Sequence, residues 1–280
     1  MSVIFYKYHA LGNDYIVIDP NKSQIDLTED RIKLICHRNF GVGSDGILLG
    51  PIFNGEKIAL RIFNPDGSEA EKSGNGIRIF SRYLLDAEYI KEKSFYLDTL
   101  GGQVKVEYLD DVGRLIKVDM GKPTFQSDLL PMVGSVREVI DELLNLGEVE
   151  YRATCLSVGN PHCVIILPEI SSELAKKIGP LVENHTAFPN RINMQIVKII
   201  DRNNIQIEIW ERGAGYTLAS GSSSSAAASA SYKLGLVNNL VKVHMPGGTI
   251  DIEIGPDGRI HMTGTVCSVA VGEISSEITE

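Results

Sequence analysis

The chain repeats itself, and this repeat limits its fold more than any other feature. The segment around Asn13 reappears around Asn160, at an offset of 147 residues. Further matches keep the same order at nearly the same offset: residues 58–67 with 205–214, Ser73-Gly74 with Ser220-Gly221, Gly101-Gly102 with Gly247-Gly248, and Gly113-Arg114 with Gly258-Arg259. Because unrelated segments would not keep both order and spacing, the sequence predicts a tandem duplication.

Each half consists mostly of predicted strands, in which apolar residues alternate with polar ones or form short β-branched runs. The clearest are residues 58–63, 103–109, 205–210 and 249–254. Helices are predicted at matching places, over residues 77–85 and 224–234, after the two Ser-Gly pairs. Two more are predicted over residues 27–38, which open with a capping threonine and an acidic first turn, and over residues 136–146.

These patterns predict an α+β fold of two pseudo-symmetric domains, each a curved, mostly antiparallel sheet around a central helix. The first domain is expected to comprise residues 1–120 plus 262–280, and the second residues 121–261. Because related halves that face one another leave a concave junction, we expect the active site in the cleft between them.

Composition narrows the class of protein. With 280 residues, 43% hydrophobic and 22% charged, the chain can bury a sizeable core. Its net charge of −9 argues against a nucleic-acid or anionic-membrane binder. A carboxylate substrate would therefore need a local cation. The remaining classes are a soluble enzyme and a soluble binding protein for a small molecule.

Location is inferred from the cysteines and the apolar runs. The four cysteines (Cys36, Cys155, Cys163 and Cys267) match no zinc or disulfide framework, which suits a reducing cytoplasm. Residues 1–19 lack the apolar core of a signal peptide, and no run reaches the roughly 18 apolar residues of a membrane span. We expect a cytoplasmic protein.

The two Ser-Gly pairs are the candidate catalytic loops. Small residues at a helix start let backbone N–H groups approach an anion, which the helix dipole also favours. Two such starts facing across one cleft would hold a carboxylate and place Ser73 and Ser220 on either side of the adjacent carbon. That arrangement suits removing a proton from one face and returning it to the other. The alternative is that both serines are ordinary helix caps.

Arg212 is the best candidate for a second anion contact, because a guanidinium holds a carboxylate by two parallel hydrogen bonds. An internal salt bridge to Glu211 is the alternative. Asn13 and Asn160 are repeat equivalents at strand ends, whereas His162 is as consistent with a packed histidine as with a catalytic one. No G-x-G-x-x-G or P-loop motif occurs, so the sequence indicates no nucleotide, metal or pyridoxal cofactor.

Together these motifs resemble the diaminopimelate epimerase family, in order and over essentially the whole chain. The segments that carry the resemblance are Leu11-Gly12-Asn13-Asp14-Tyr15, Phe63-Asn64-Pro65-Asp66-Gly67-Ser68, Gly74-Asn75-Gly76, Gly159-Asn160-Pro161-His162, Phe188-Pro189-Asn190-Arg191-Ile192-Asn193 and Trp210-Glu211-Arg212-Gly213. The resemblance implies a two-domain fold whose C-terminal tail returns to the first domain. It also implies a homodimer and cofactor-independent epimerisation of LL-2,6-diaminoheptanedioate to the meso form, for lysine and cell-wall precursor synthesis.

The resemblance also implies roles for individual residues. Those that would bind the distal amino-acid end of the substrate are Asn13, Asn64, Asn160, Asn193, Glu211 and Arg212. Those that would hold the carboxylate beside the reacting carbon are Gly74, Asn75, Gly221 and Ser222. The family's two bases are cysteines, and here those positions are Ser73 and Ser220.

This departure bears directly on activity. A thiol has a pKa of about 8.5, which a helix N-terminus lowers, whereas an aliphatic hydroxyl ionises several units higher. If that gap is ~4–5 units, ionised serine costs about 6–7 kcal/mol more. An adjacent lysine or histidine can activate a serine, so Lys72 and His162 are auxiliary candidates.

Two functions of different classes follow. The first is an isomerase of the diaminopimelate epimerase type, with a variant that isomerises another amino acid or an unsaturated acid with Lys72 as base. The second is a homologue that binds an amino acid with little or no turnover, which the absence of both thiols would explain.

Overall fold

The computed structural model describes residues 3–130, 132–147 and 149–279, with Thr279 described by its backbone alone. The described residues form two compact units, one from residues within 1–118 and 264–280 and the other from residues within 119–263. None of the described helices has the length and apolar character that a membrane crossing requires.

The elements follow one another in matching series along the chain. The first series is β1 (Val3–Ala10), β2 (Asn13–Ile18), α1 (Glu29–Cys36), β3 (Ile47–Asn54), β4 (Lys57–Phe63), β5 (Glu69–Ala70), α2 (Gly74–Asp86), β6 (Ser94–Thr99), β7 (Gly102–Tyr108) and β8 (Leu115–Gly121). A short 3-10 helix (Ser127–Leu129) follows. The second series is β9 (Glu142–Asn145), β10 (Glu150–Ser157), β11 (Pro161–Ile166), α3 (Ser172–Glu183), β12 (Asn193–Asp201), β13 (Asn204–Glu211), β14 (Gly215–Thr217), α4 (Gly221–Lys233), β15 (Leu240–Met245), β16 (Gly248–Ile254) and β17 (Ile260–Thr265). The chain ends with β18 (Cys267–Ile274) and α5 (Ser276–Thr279).

Strand pairing is the same in the two units. In the first unit the order is β18-β1-β2-β3-β4-β6-β7-β8, with β5 also paired to β4. In the second it is β9-β10-β11-β12-β13-β15-β16-β17, with β14 also paired to β13. Each sheet is antiparallel except at two parallel pairs, β2–β3 and β4–β6 in one and β11–β12 and β13–β15 in the other. The predicted α+β duplication is confirmed.

One helix packs against the strands of each unit. Helix α2 contacts β1, β2 and β3, and α4 contacts strands from β10 to β16. Helix α4 is almost entirely buried although serine and alanine dominate it. Its buried hydroxyls donate to carbonyls one turn earlier, as Ser225 does to Gly221 over 2.9 Å. Small, internally hydrogen-bonded side chains therefore let the strands approach this helix closely without leaving polar groups unsatisfied.

Three of the four predicted helices are present, as α1, α2 and α4. The helix predicted over residues 136–146 is wrong, because β9 occupies its second half. Asp141 has a left-handed backbone (φ 53°), which interrupts a helix. The backbone of Val139 bonds instead to Phe125 and Cys155. Strand β9 pairs with β10 as β18 pairs with β1, so the segment supplies the outer strand that the second sheet needs.

Three of the four cysteines are buried, as a packing role predicts, but Cys267 is exposed at the start of β18. Cys155 and Cys163 face each other across β10 and β11 as free thiols. A hydrogen bond with Cys163 and burial raise the pKa of the Cys155 thiol.

Candidate active site

Ser73 is the N-cap of α2. Its backbone is extended (φ −136°, ψ 118°), and its Oγ accepts a hydrogen bond from the backbone N–H of Gly76 over 3.0 Å. The hydroxyl of Tyr15, on β2, lies 3.3 Å from the same oxygen. Ser73 is half-buried. Its side chain therefore stands at the positive end of the helix dipole, with a phenol beside it.

Ser220 repeats this arrangement at the start of α4. Its backbone is also extended (φ −147°, ψ 127°), and its Oγ accepts a hydrogen bond from Ser223 N–H over 3.3 Å. The Oγ of Ser222 lies 3.4 Å from it. The interpretation of both serines as helix caps is confirmed, while their role as bases remains a prediction.

The residues that follow the caps form the first turns of the helices, where backbone N–H groups have no partner within the helix. These residues are Gly74 and Asn75 in α2, and Gly221 and Ser222 in α4. Neither first turn, both of which lie within the described residues, contains an acidic residue. Each helix start can therefore bind a carboxylate through its N–H groups and dipole.

An amide network supports the start of α2. The side-chain amide of Asn75 donates to Asn13 Oδ1 over 3.0 Å, and Asn13 donates to Asp45 over 2.9 Å. The guanidinium of Arg78, which is fully buried, donates to Asn75 Oδ1 over 2.8 Å. Burial lowers the pKa of Arg78 to about 9. The contacts of Asn13 thus position Asn75, and its role as a direct substrate ligand remains a prediction.

A matching network supports the start of α4. Asn160 donates to the hydroxyl of Ser222 over 3.4 Å, and its Oδ1 lies 2.9 Å from Nε2 of His162. The other ring nitrogen of His162 lies 3.2 Å from Gln195, which donates in turn to Ser223. Burial lowers the pKa of His162 to about 3, so the imidazole is neutral at physiological pH.

Arg212 lies on the turn after β13 and is half-buried. Its backbone N–H donates to Asn193 Oδ1 over 3.0 Å, and its Nη1 donates to the carbonyl of Asn190 over 3.2 Å. Among the described residues no carboxylate lies within ion-pair distance of its guanidinium. Asn193 itself donates to the Pro161 carbonyl over 2.8 Å, which joins the Arg212 turn to the Asn160 segment.

A buried carboxylate holds that turn in place. Glu183, at the end of α3, accepts from the indole N–H of Trp210 over 2.7 Å and from the N–H of Gly213 over 3.0 Å. The guanidinium of Arg191 forms an ion pair with Glu183, with Nη1 3.1 Å from Oε1. Helix α3 lies close enough to Trp210 that a Cβ on Gly179 would come within 2.4 Å of the indole. Helix packing therefore fixes the backbone that presents Arg212.

The remaining predicted residues are Asn64, Glu211 and Lys72. Asn64 follows β4 and donates to the Ser68 hydroxyl over 3.0 Å. Glu211 is the last residue of β13 and accepts from the N–H of Ala214 over 3.1 Å through its carbonyl. Lys72 is half-buried and immediately precedes Ser73.

Sequence reasoning missed several residues of these networks, including Tyr15, Arg78, Glu183 and Gln195. Only Tyr15 carried a usable signal, because it lies 147 residues before His162 and is therefore its repeat equivalent. The other three contacts depend on how strands and helices pack. No group of three or more His, Cys, Asp or Glu side chains among the described residues is arranged to hold a metal.

Comparison with known proteins places the chain in a family. The diaminopimelate epimerase family model matches residues 5–126 and 154–269. "Diaminopimelate epimerase 2" of Nostoc sp. (strain PCC 7120) is 56% identical over 98% of this chain and 96% of its own length. Diaminopimelate epimerase of Moorella thermoacetica is 37% identical over 96% of this chain and 98% of its own.

A solved structure shares the fold at low identity. The crystal structure of a hydroxyproline epimerase from Agrobacterium vitis has a TM-score of 0.71, with 13% identity over 98% of this chain and 92% of that one. Motifs, matched residues and near-complete coverage agree, and the resemblance is confirmed: this chain belongs to the diaminopimelate epimerase family.

Proposed function

We propose that this protein epimerises LL-2,6-diaminoheptanedioate to the meso form, with Ser73 and Ser220 acting at opposite faces of one α-carbon. The observation that carries the proposal is the pair of repeat-equivalent helix starts, each capped by a serine and joined to an asparagine of the matching strand turn, in a member of this family. Family membership supports an isomerase reaction of lysine biosynthesis.

The proposed reaction balances without a cofactor. One serine oxygen, in its ionised form, takes the α-proton as the Cα–H bond breaks, and the hydroxyl of the other serine gives its proton to the opposite face. The helix starts would stabilise the negative charge that develops on the substrate carboxylate. The residues proposed to hold this carboxylate are Gly74, Asn75, Gly221 and Ser222.

The distal amino-acid end would be held by a second set of residues. Arg212 would hold the distal carboxylate, because its guanidinium has only a carbonyl partner in the described contacts. Glu211 would accept hydrogen bonds from the distal ammonium group. The residues proposed to complete this set are Asn13, Asn64, Asn160 and Asn193.

Deuterium incorporation into LL-2,6-diaminoheptanedioate in heavy water tests the activity. We expect label at the α-carbon together with formation of the meso isomer. The matched control is a variant with both Ser73→Ala and Ser220→Ala, which should lose both. Incorporation no faster than in buffer would remove the epimerase proposal.

A second candidate is a binding protein that does not turn its ligand over. It is favoured by the contacts of Ser220, whose described partners are a backbone N–H and another serine hydroxyl and so include no titratable group. Calorimetric binding of the meso isomer without any isotope exchange would support this candidate.

We also propose a cytoplasmic homodimer that pairs through β18. Val269 and Val271 on this strand are 54% and 65% exposed, and its described register pairs it with β1. Exposed apolar side chains on an outer strand favour association. Sedimentation should give twice the chain mass, and Val271→Lys should give the monomer.

A further inference from the structure

Tyr15 occupies in the first unit the position that His162 occupies in the second. Both lie two residues after the asparagine of the matched motif, on equivalent strands β2 and β11. Their contacts differ, however. The ring of His162 lies against the amides of Asn160 and Gln195, whereas the hydroxyl of Tyr15 lies 3.3 Å from Ser73 Oγ. In the described contacts, the phenol of Tyr15 therefore lies beside the capping serine of its unit, whereas the imidazole of His162 contacts only amides.

The position of the phenol is fixed by its surroundings. Tyr15 is only 7% exposed, and β2 is held between β1 and β3. Its ring packs on the backbone of Gly46, where a Cβ would lie 2.7 Å from a ring carbon and 2.5 Å from the Phe63 carbonyl. A glycine is thus needed for Tyr15 to pack here. This packing holds the Tyr15 hydroxyl at the start of α2.

The hydrogen bonds at Ser73 also have a defined direction. The backbone N–H of Gly76 can only donate, so it occupies one lone pair of Ser73 Oγ. The hydrogen of Ser73 is then available for the oxygen of Tyr15. A phenol ionises near pH 10, well below an aliphatic alcohol, so a phenolate can take the hydrogen that serine cannot release to water unaided. Proton-transfer contacts are often long before substrate binds, which fits a separation of 3.3 Å.

We propose that Tyr15 is a proton relay that activates Ser73, a role that rests on the proposed epimerase function. As Ser73 Oγ takes the α-proton of the substrate, the original hydroxyl proton of Ser73 passes to the phenolate oxygen of Tyr15. The electron pair of the broken Cα–H bond stays on the substrate as a carbanion, and Tyr15 becomes neutral. In the reverse direction Tyr15 returns its proton to Ser73 as Ser73 protonates the carbanion.

The relay makes the two faces of the substrate unequal. Ser73 can exchange its proton with solvent through Tyr15, whereas the described contacts of Ser220 offer no titratable group for this purpose. One of the two epimers should therefore exchange its α-proton with solvent faster than the other. The rate of that exchange should rise with pH, because the relay uses a phenolate.

The experiment compares Tyr15→Phe with Tyr8→Phe. Tyr8 lies opposite Tyr15 in the β1–β2 register, and its buried hydroxyl bonds Asp86 at the far end of α2, so it controls for the loss of a buried phenol. Deuterium exchange of the LL and meso epimers is followed separately against pH. Tyr15 is also replaced with 3,5-difluorotyrosine, a more acidic phenol. This replacement should shift the pH profile of exchange only if Tyr15 takes part in proton transfer, and not if its role is structural.

The relay predicts at least 100-fold slower exchange of the faster epimer in Tyr15→Phe and a change of less than threefold in Tyr8→Phe. It also predicts that difluorotyrosine shifts the pH profile downward by the difference between the two phenol pKa values. Exchange in Tyr15→Phe within threefold of the unmodified protein, or an unshifted profile, would overturn the relay and leave the epimerase intact. An unmodified protein that exchanges neither epimer would overturn both.

Discussion

Asn75 donates a hydrogen bond to Asn13 over 3.0 Å, and the repeat equivalents of these residues, Ser222 and Asn160, are joined in the second unit over 3.4 Å. In both units the bond joins the start of a central strand to the first turn of the buried helix, although the donor is Asn75 of the helix in the first unit and Asn160 beside the strand in the second. It fixes the start of each helix relative to the sheet. The loops proposed to hold the reacting carboxylate are therefore anchored in the same way in both copies.

Substitutions of Asn75 separate its structural role from its binding role. In Asn75→Leu, the buried guanidinium of Arg78 loses one acceptor, and we expect a loss of roughly 1–3 kcal/mol in the free energy of unfolding. Asn75→Asp keeps an acceptor and adds a charge partner for Arg78 but loses the donor to Asn13, so it should cost less stability than Asn75→Leu. The added negative charge should nevertheless weaken binding of the meso isomer at least tenfold. Denaturant unfolding and calorimetry measure the two effects, and equal binding by Asn75→Asp would contradict a carboxylate site at this helix start.

Introducing thiols at both proposed base positions should raise the rate of proton exchange. A thiol ionises several pKa units below a serine hydroxyl, so we expect Ser73→Cys with Ser220→Cys to increase α-proton exchange by at least 100-fold. The control is Ser225→Cys, because Ser225 is buried in the same helix and donates to the Gly221 carbonyl. An unchanged rate in the double variant would show that these two positions do not carry the proton.

Removing the capping oxygens should lower stability independently of activity. Ser73→Ala and Ser220→Ala each remove an acceptor for a backbone N–H, which costs about 0.5–2 kcal/mol. Ser171 caps α3 in the same way, accepting from Leu174 over 3.2 Å. Ser171→Ala should therefore cost as much stability but leave α-proton exchange unchanged. If all three variants exchange at the same rate, Ser73 and Ser220 are only caps.

The duplication and most helices could be predicted because they depend on local sequence patterns, such as the Ser-Gly pairs and the alternating apolar residues of the strands. Residues 136–146 show why a local pattern is insufficient. Their apolar spacing fits a helix, but the sheet needs an outer strand beside β10. Contacts such as that of Tyr15 with Ser73 join residues 58 positions apart, so they depend on strand register and could not be derived from sequence.

The buried imidazole of His162 should make stability depend on pH. Its pKa is about 3 in the folded protein, against an ordinary value of 6.5. The folded state therefore binds fewer protons than the unfolded state between these two pH values. Its contribution to stability is fully present above pH 6.5 and is lost as the pH falls toward 3, by about 1.4 kcal/mol per pH unit at most. His162→Gln removes the titrating group while keeping a polar side chain. The difference in unfolding free energy between the two proteins should narrow as the pH falls from 7 to 4, and a constant difference would contradict a neutral, buried imidazole.

Arg212 should control affinity for the distal carboxylate. Its guanidinium is placed by the Asn193 and Glu183 contacts and has only the Asn190 carbonyl as its described side-chain partner. Loss of a charge-assisted pair costs roughly 1.5–3 kcal/mol, so Arg212→Gln should weaken binding of the meso isomer about 10- to 150-fold.

Arg212→Lys should recover only part of this loss, because an ammonium group cannot form two parallel bonds to a carboxylate. The control is Arg202→Gln, on the β12–β13 turn of the same unit, where the side chain bonds Asn238 over 3.1 Å. Calorimetry on all three variants measures the order, which we expect to be Arg202→Gln tightest and Arg212→Gln weakest. Since the Arg212 backbone N–H bond to Asn193 survives each side-chain change, unaltered affinity in Arg212→Gln would assign the distal carboxylate to another cation.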